Sequence, residues 1–458
     1  MKHTIPSLTF LSQLSWLHVW LCFLNVGVFF AALVMGVLVT RRAFFIIALI
    51  PLAFIPFSYA RVRLQEVLGR VLHTRASMVR LLGVLTGLGM LCDVIMIAQL
   101  LTARAAQPNP LLHGPGIAWI GAIWFSAHGL LFLGYMLLRL GQWCIQIVWK
   151  MGQGRSAEMA DSLVFPERRQ FLQHLGVLGA GAPFFISVSN IKLSYDFRVE
   201  EREITVPRWP RELDGLRIAH LSDIHVGGAM NRQRLLYMAA LTNNAQPDLV
   251  VHTGDFLTHR TGNFDAPLYE ALARIRAPYG QWACLGNHDF DAPERFVRRL
   301  RQAGVATLRD TVVTVSVEGQ PLEIAGLDYV FGQREWTARY GQIIRSWPLR
   351  TSVPRILLNH DPRAFIALPS GCADLVLSGH THGGHVGVQL GRDVALTVIG
   401  LLGIPDQGMY QRPDMLLYVT RCVGFYGYPM RLGIPPEIAL LTIRAPETSP
   451  LRYVESFT

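Results

Sequence analysis

The chain has 458 residues, 51% of them hydrophobic, with a mean hydropathy of +0.30 and a formal charge of +10. That length holds two or three domains, and an apolar share this high for a soluble protein leads us to expect a membrane part. Residues 1–190 carry 14 Lys and Arg against 5 Asp and Glu, and residues 191–458 carry 28 against 27; the basic excess therefore belongs to the apolar half, and no nucleic-acid partner is expected.

Four long apolar stretches come first, at about 16–40, 43–60, 81–101 and 116–138. Each has roughly the 18 to 25 residues that cross a bilayer core, so 1–150 is read as a transmembrane domain of about four helices. The second stretch contains Pro51 and Pro56, which neighbouring helices can accommodate. The loop 61–80 has five arginines, and 139–169 has four arginines with Lys150. Excess cationic charge in these two loops places them, and the N-terminus, in the cytoplasm. Arg41 and Arg42 in the first hairpin run against that orientation. Asp93 and His128 lie inside apolar stretches, either as functional groups or as a mutual hydrogen bond that fixes helix packing.

Residues 151–190 form a basic linker and a fifth, less apolar stretch from Phe171 to Ser189. Arg168 and Arg169 followed by Phe171 and Leu172 are similar to a twin-arginine export signal, although Glu167 and Gln173 depart from the usual flanks. The pair also reads as plain orientation charge. With four spans upstream, an uncut anchor is expected over cleavage at Gly179–Ala182. The chain is thus expected to be a multi-pass inner-membrane protein with residues 191–458 on the outer, periplasmic face. Six scattered cysteines without any C-x-x-C indicate neither a thiolate metal site nor a disulfide framework.

From Glu212 the pattern changes. LRIAHLSD, DLVVHTGDF, QWACLGNHD, RILLNHDP and ADLVLSGHTH are each a strand-like apolar run ending in a turn with His or Asp. Residues 232–244 and 292–303 between them read as helices. Alternating strand and helix implies an α/β fold, whose ligands gather beyond the carboxyl ends of strands. The turns bring Asp223, His225, Asp255, Asn287, His288, Asp289, His360, His380 and His382 towards one edge. Oxygen and imidazole donors without thiolate suit Mn, Fe or Zn. The turn GHTHGGHVG, 379–387, is poor packing material and supplies three of the histidines. Two divalent ions would lower the pKa of a bridging water to give hydroxide, attacking phosphorus in line with the leaving oxygen.

The series D-x-H at 223–225, G-D at 254–255, G-N-H-D at 286–289, N-H at 359–360 and G-H-T-H at 379–382 resembles the calcineurin-like metallophosphoesterases, over about 212–445. LSDIHVG, SGHTHGG and PMRLGIPPEIALLTI look most like the YkuE-type phosphodiesterase branch, whose relatives include enzymes cleaving UDP-2,3-diacylglucosamine. The resemblance implies a four-layer sandwich of two central mixed sheets flanked by helices. It implies a first metal on Asp223, His225 and His382, a second on Asn287, His360 and His380, and Asp255 bridging them. It gives His288 a contact with the phosphoryl oxygen or leaving group, with Asp289 orienting it. Thr258 stands where the family often has a second Asp, and His385 where many relatives have Gln; His385 either touches substrate or caps the turn.

The function expected is a membrane-anchored, binuclear-metal phosphoesterase cleaving a phosphodiester or pyrophosphate bond, with a lipid-linked substrate as an open option. A phosphatase for a soluble substrate is the nearer alternative. A membrane transporter or sensor with an inactive phosphoesterase-like domain is the more distant one. Selectivity is expected from 329–347 and 398–413; the apolar loop 400–410 suggests acyl-chain or membrane contact, or a buried flap.

Overall fold

The computed structural model describes residues 185–190 and 193–447, except 228–229, 259–264, 351, 392–393 and 426–430, with a few helical positions between 123 and 147. The first three apolar stretches and Asp93 lie outside the described residues, as do His128 and the twin-arginine pair. Among the described residues, no helix is long and apolar enough to cross a membrane. Residues up to Val188 belong largely to one compact unit and those from Ser189 onwards to another.

The second unit is built on two six-stranded sheets. The first runs in the order β1 (Arg198–Thr205), β14 (Glu437–Arg444), β2 (Leu216–Leu221), β3 (Leu249–His252), β4 (Gln281–Ala283), β5 (Val305–Thr307). The second runs β12 (Gly408–Arg412), β13 (Met415–Val419), β9 (Leu375–Ser378), β8 (Arg355–Leu358), β7 (Gln320–Gly326), β6 (Thr311–Val317). A separate two-stranded ribbon pairs β10 (Gly387–Gln389) with β11 (Ala395–Thr397). Strands β2 to β5 are mutually parallel, as are β7, β8, β9 and β13. Antiparallel pairing is confined to β14 against β2, β6 against β7 and β12 against β13 in these sheets.

All four residues of β3 (LVVH), β8 (RILL) and β9 (LVLS) are buried, as continuous apolar runs covered on both faces must be. The layers follow from where their alternate side chains go. Ile218, Val251, Ile324, Leu358 and Leu377 meet in one core between the sheets. Ala219, Leu221 and Val250 point the other way, under α1 (Arg232–Asn244), α2 (Ala266–Leu272) and α3 (Pro293–Gln302), where Leu235, Leu268 and Phe296 are buried. Leu357, Val376 and Leu417 face Trp336 and Tyr340 of α4 (Trp336–Arg345). The result is the four-layer α/β arrangement. Asn231 caps α1 by accepting the Arg234 N–H at 3.1 Å, and Pro293 opens α3, a position where its missing N–H costs nothing.

The two segments whose shape the sequence left open are resolved. Residues 329–347 become a 3-10 turn at Gln333–Glu335 followed by α4, which covers the second sheet. Residues 398–413 become the short helix α5 (Val398–Leu401) and strand β12.

Candidate binuclear metal centre

Because β2, β3 and β4 are parallel in one sheet and β8 and β9 parallel in the other, their carboxyl ends share an edge. Each of the five turns begins within three residues of its strand. The backbone there is unusual: φ is 52° at Asp223, 49° at His225, 52° at Asp255, 69° at His380 and 51° at His382. Left-handed backbone at a non-glycine residue costs of the order of 1–3 kcal/mol and persists only where surroundings enforce it. Asp and His tolerate it better than β-branched residues. Close packing of the turns also demands glycine. A Cβ on Gly286 would overlap the Asp255 carboxylate and backbone, and one on Gly379 would overlap Ser222 Oγ and Asp223 Oδ2.

Two groups of donor atoms result: Asp223, His225 and His382, all buried, and Asp255, His360 and His380, of which His380 is part-exposed. In the first, Asp223 Oδ1 lies 3.2 Å from His382 Nε2 and 3.8 Å from His225 Nε2. In the second, His360 Nε2 lies 3.0 Å from His380 Nδ1, 3.1 Å from Asn287 Oδ1 and 3.3 Å from Asp255 Oδ2. Asp255 Oδ2 also comes within 3.7 Å of His225 Nε2, so this carboxylate stands between the groups.

The far sides of the rings determine what the near sides offer. His225 Nδ1 faces the Leu257 carbonyl at 3.2 Å, and His360 Nδ1 faces that of Thr253 at 2.6 Å. A carbonyl only accepts, so both Nδ1 atoms donate, and the Nε2 lone pairs of the neutral rings point inward. His380 is reversed: its Nδ1 faces inward, while its Nε2 lies 3.5 Å from Asp361 Oδ2 and 3.4 Å from an Arg363 nitrogen. His382 Nδ1 lies 3.3 Å from the Gly424 carbonyl and 3.4 Å from an Arg431 nitrogen. A cation on Nε2 selects the first of these. Asp223 Oδ1 is buried without a hydrogen-bond partner, whereas Oδ2 accepts from Ser222 Oγ at 2.5 Å, His380 N at 2.9 Å and Cys422 Sγ at 3.1 Å. A buried, unsatisfied carboxylate oxygen facing two imidazoles is costly unless a cation completes it. The donor set fits a pair of divalent ions.

Titration reflects this crowding. Burial disfavours the Asp223 carboxylate, but His382, His360 and His225 outweigh it and hold the group well below the usual range. Burial likewise opposes ionisation of Asp255, which His360 and His225 nevertheless hold low. Burial pulls His225 down to about 3, and burial with the neighbouring His360 pulls His380 to about 4. His360 is raised to about 10 because Asp255 and Asp223 overcome its burial. A cation at His360 must displace that proton.

His288 is half-buried; its backbone N–H donates to Asp255 Oδ1 at 2.9 Å, and its ring meets that of His225 edge-on at 5.2 Å. It sits beside both groups. Asp289 is held by backbone N–H groups. Its Oδ2 accepts from Asp255 N at 2.8 Å and Gly286 N at 2.9 Å, and its Oδ1 from Leu257 N at 3.3 Å. This fully buried carboxylate, which burial and the Asp255 charge push up to about 8, ties the β3 and β4 turns together. His385 stacks on His382, with ring centroids 4.6 Å apart and planes 26° apart.

Four further residues support the site. Asp361 and Arg363 back His380, Cys422 donates to Asp223, and the fully buried Arg431 donates to the carbonyls of His382, Arg421 and Gly424. The dipeptide D-P after N-H was a weak signal for Asp361, and Arg431 falls within the PMRLGIPPEIALLTI stretch; Cys422 had no signal.

The family model described as calcineurin-like phosphoesterase matches residues 216–384. An uncharacterized metallophosphoesterase of Aquifex aeolicus is 32% identical over 256 residues, covering 55% of this chain and 93% of that protein. The uncharacterized metallophosphoesterase YkuE of Bacillus subtilis is 29% identical over 287 residues, 61% of this chain and 98% of its own. A Danio rerio transmembrane protein with metallophosphoesterase domain is 27% identical over 339 residues, 71% of this chain and 74% of its own. With these likenesses added to the two donor groups at the strand ends, the chain belongs to the calcineurin-like metallophosphoesterases, phosphoric ester hydrolases that work with a binuclear divalent-metal centre.

Proposed function

We infer that the protein is a membrane-anchored phosphoesterase cleaving a phosphodiester or pyrophosphate bond, with a lipid-linked phosphoester as substrate. The observation that carries the chemistry is the pair of inward-facing donor groups with the unsatisfied Asp223 Oδ1 between two imidazoles. Asp223, His225 and His382 would hold one cation, Asn287, His360 and His380 the other, and Asp255 would serve both. When bound, the pair supplies an activated water nucleophile and neutralises charge on the transferred phosphoryl group; Mn, Fe or Zn suits these donors. The protein's own residues do the rest. His225 and His360 are held in one tautomer by backbone carbonyls, Asp289 keeps two turns in register, and His288 delivers a proton to the departing oxygen.

Three observations support the membrane and lipid part. Residues 1–150 contain four stretches of spanning length. The match to the Danio rerio transmembrane protein covers 339 residues, more than the 268 that follow Asn190. The segment after the His380–His385 turn exposes apolar side chains beside the site. We place the catalytic unit on the outer face of the inner membrane from the loop charges.

Purified protein loaded with Mn should be assayed on a diester, a monoester, a sugar nucleotide and a phospholipid, in detergent and in liposomes. Diester or pyrophosphate cleavage, with rates on lipid substrates that respond to the bilayer, is expected. Hydrolysis of soluble monoesters alone, indifferent to lipid, would overturn the substrate assignment. Protease added to intact spheroplasts should remove the catalytic unit; digestion only after lysis would reverse the orientation.

A further inference from the structure

Directly after the His380–His385 turn, the chain leaves the sandwich as the β10–β11 ribbon and α5. A two-stranded ribbon has no second layer to cover its apolar residues. Val388, Leu390, Leu396, Val398, Leu401 and Leu402 are all exposed, the last two at 72% and 70%. The sequence of 387–403 holds a single Arg and a single Asp. Clustered exposed apolar residues of this kind mark an interaction surface, unlike scattered single ones.

The lobe is fixed to the catalytic edge. Asp406 is hydrogen-bonded to Thr397 Oγ1, accepts from Tyr410 OH at 3.0 Å, and through its carbonyl accepts from Thr381 OH at 2.7 Å. Thr381 stands between His380 and His382, so the lobe and the metal-site turn share one anchor. The chain also enters this unit at the same place. Asn190 Oδ1 accepts from Gly433 N at 3.2 Å, Ser194 Oγ from Arg431 N at 2.6 Å, and Leu432 O from Gly387 N at 2.9 Å. Hence the segment arriving from the apolar N-terminal residues, the root of β10 and the His382 turn are joined through 431–433.

We propose that the β10–β11–α5 lobe docks into the headgroup–acyl boundary of the bilayer that the N-terminal residues occupy, a reading that rests on the membrane anchoring proposed above. The occupant is a lipid surface, because the tether delivers one to the root of the lobe and the lobe is nearly uncharged. A bilayer takes up apolar side chains to headgroup depth without a shaped cleft. Docking there sets the catalytic edge at the membrane surface and selects phosphoesters whose phosphoryl group lies in the headgroup layer.

The test uses the full chain in phosphatidylethanolamine–phosphatidylglycerol liposomes containing a nitroxide-labelled phospholipid. An NBD fluorophore is placed at Leu402→Cys or, as control, at Leu349→Cys, with the unsubstituted chain labelled in parallel as background. Leu349 is exposed and precedes Arg350, which pairs at 2.8 Å with Asp374 at the start of β9, the end away from the site. Quenching at 402 should exceed that at 349 by about three-fold or more, and Val398→Asp with Leu401→Asp should abolish the excess at unchanged metal content. Equal quenching at the two positions, in protein that floats with the liposomes, overturns the docking and leaves anchoring intact. Protein that does not float overturns both. Energy transfer between labels at 402 on separate copies, without lipid quenching, assigns the lobe to a second copy and also overturns the proposal.

Discussion

The two donor groups lie side by side but are supported differently. In the first, His225 and His382 rest on the backbone carbonyls of Leu257 and Gly424, and all three donor residues are buried. Asp223 is backed by a hydrogen-bond chain: His220 Nε2 donates to Thr253 Oγ1 at 2.8 Å, which donates to Ser222 Oγ at 2.7 Å, which donates to Asp223 at 2.5 Å. In the second, His360 rests on a carbonyl, but His380 rests on the side chains of Asp361 and Arg363 and is part-exposed. Support from backbone is part of the fold and cannot be removed by one substitution. Support from a side chain can. Among the imidazoles, His380 of the second group should therefore be the one whose contribution to affinity is adjustable.

The severest way to break the comparison is to remove what the groups share. Asp255→Asn takes negative charge from between two dications, so metal content should fall from two per chain to one or fewer. Loss of a clamp worth several kcal/mol lowers turnover by about 10⁴-fold or more. Metal analysis showing two ions still bound would refute the shared role.

His288→Ala should keep both metals and slow turnover by roughly 10²- to 10⁴-fold, the range for a positioned acid–base group. The loss should shrink for a nitrophenyl diester, whose leaving group departs without a proton, relative to an alkyl diester. Equal losses on both, or an emptied metal site, would remove His288 from its role as leaving-group acid.

Asp361→Asn sharpens the distinction itself. Metal affinity should weaken about 10- to 100-fold, the usual effect of losing a histidine's outer partner. In a stepwise titration only the weaker of the two binding steps should move. A shift in both steps would show that the groups do not differ in support.

The mildest prediction concerns the backing of the first group. Burial, with the neighbouring His252, lowers His220 to about 3, against 6.5 in the unfolded chain. The unfolded state thus binds more protons between those values, so this contribution is intact above pH 6.5 and is lost as pH falls towards 3. Melting temperature should drop from pH 7.5 to pH 5, and His220→Gln should narrow the drop. An identical drop in the variant would exclude His220 as its source.

Much of this site is legible one turn at a time. Asp223 with His225, Asn287 with His288, and His380 with His382 are neighbours in the chain, and each follows a run apolar enough to be a buried strand. The sequence also marks α1 and α3, since each fills the interval between two such strands. Less legible were α2, which is only seven residues long, α4, which follows directly on a 3-10 turn, and the ribbon, whose two strands have three residues each. The backbone contacts of Asp289 were not legible either. The resemblance implies that Asp289 orients the imidazole of His288; what the structure shows is its carboxylate accepting from the N–H groups of Asp255, Gly286 and Leu257.

The sequence by itself determined the chemistry on offer: five turns, their order, and a donor set of carboxylate, amide and imidazole. Local hydrophobic pattern and turn composition are written in consecutive residues, so they survive being read without a fold. Only the tertiary structure decided which ring nitrogens face inward, because His360 takes its tautomer from the Thr253 carbonyl 107 positions away. It alone brought Cys422 to Asp223 across 199 positions and Arg431 beneath His382. Such contacts depend on the register between strands and on how two sheets stack. Those are set by the packing of whole layers, and no short stretch of sequence encodes them.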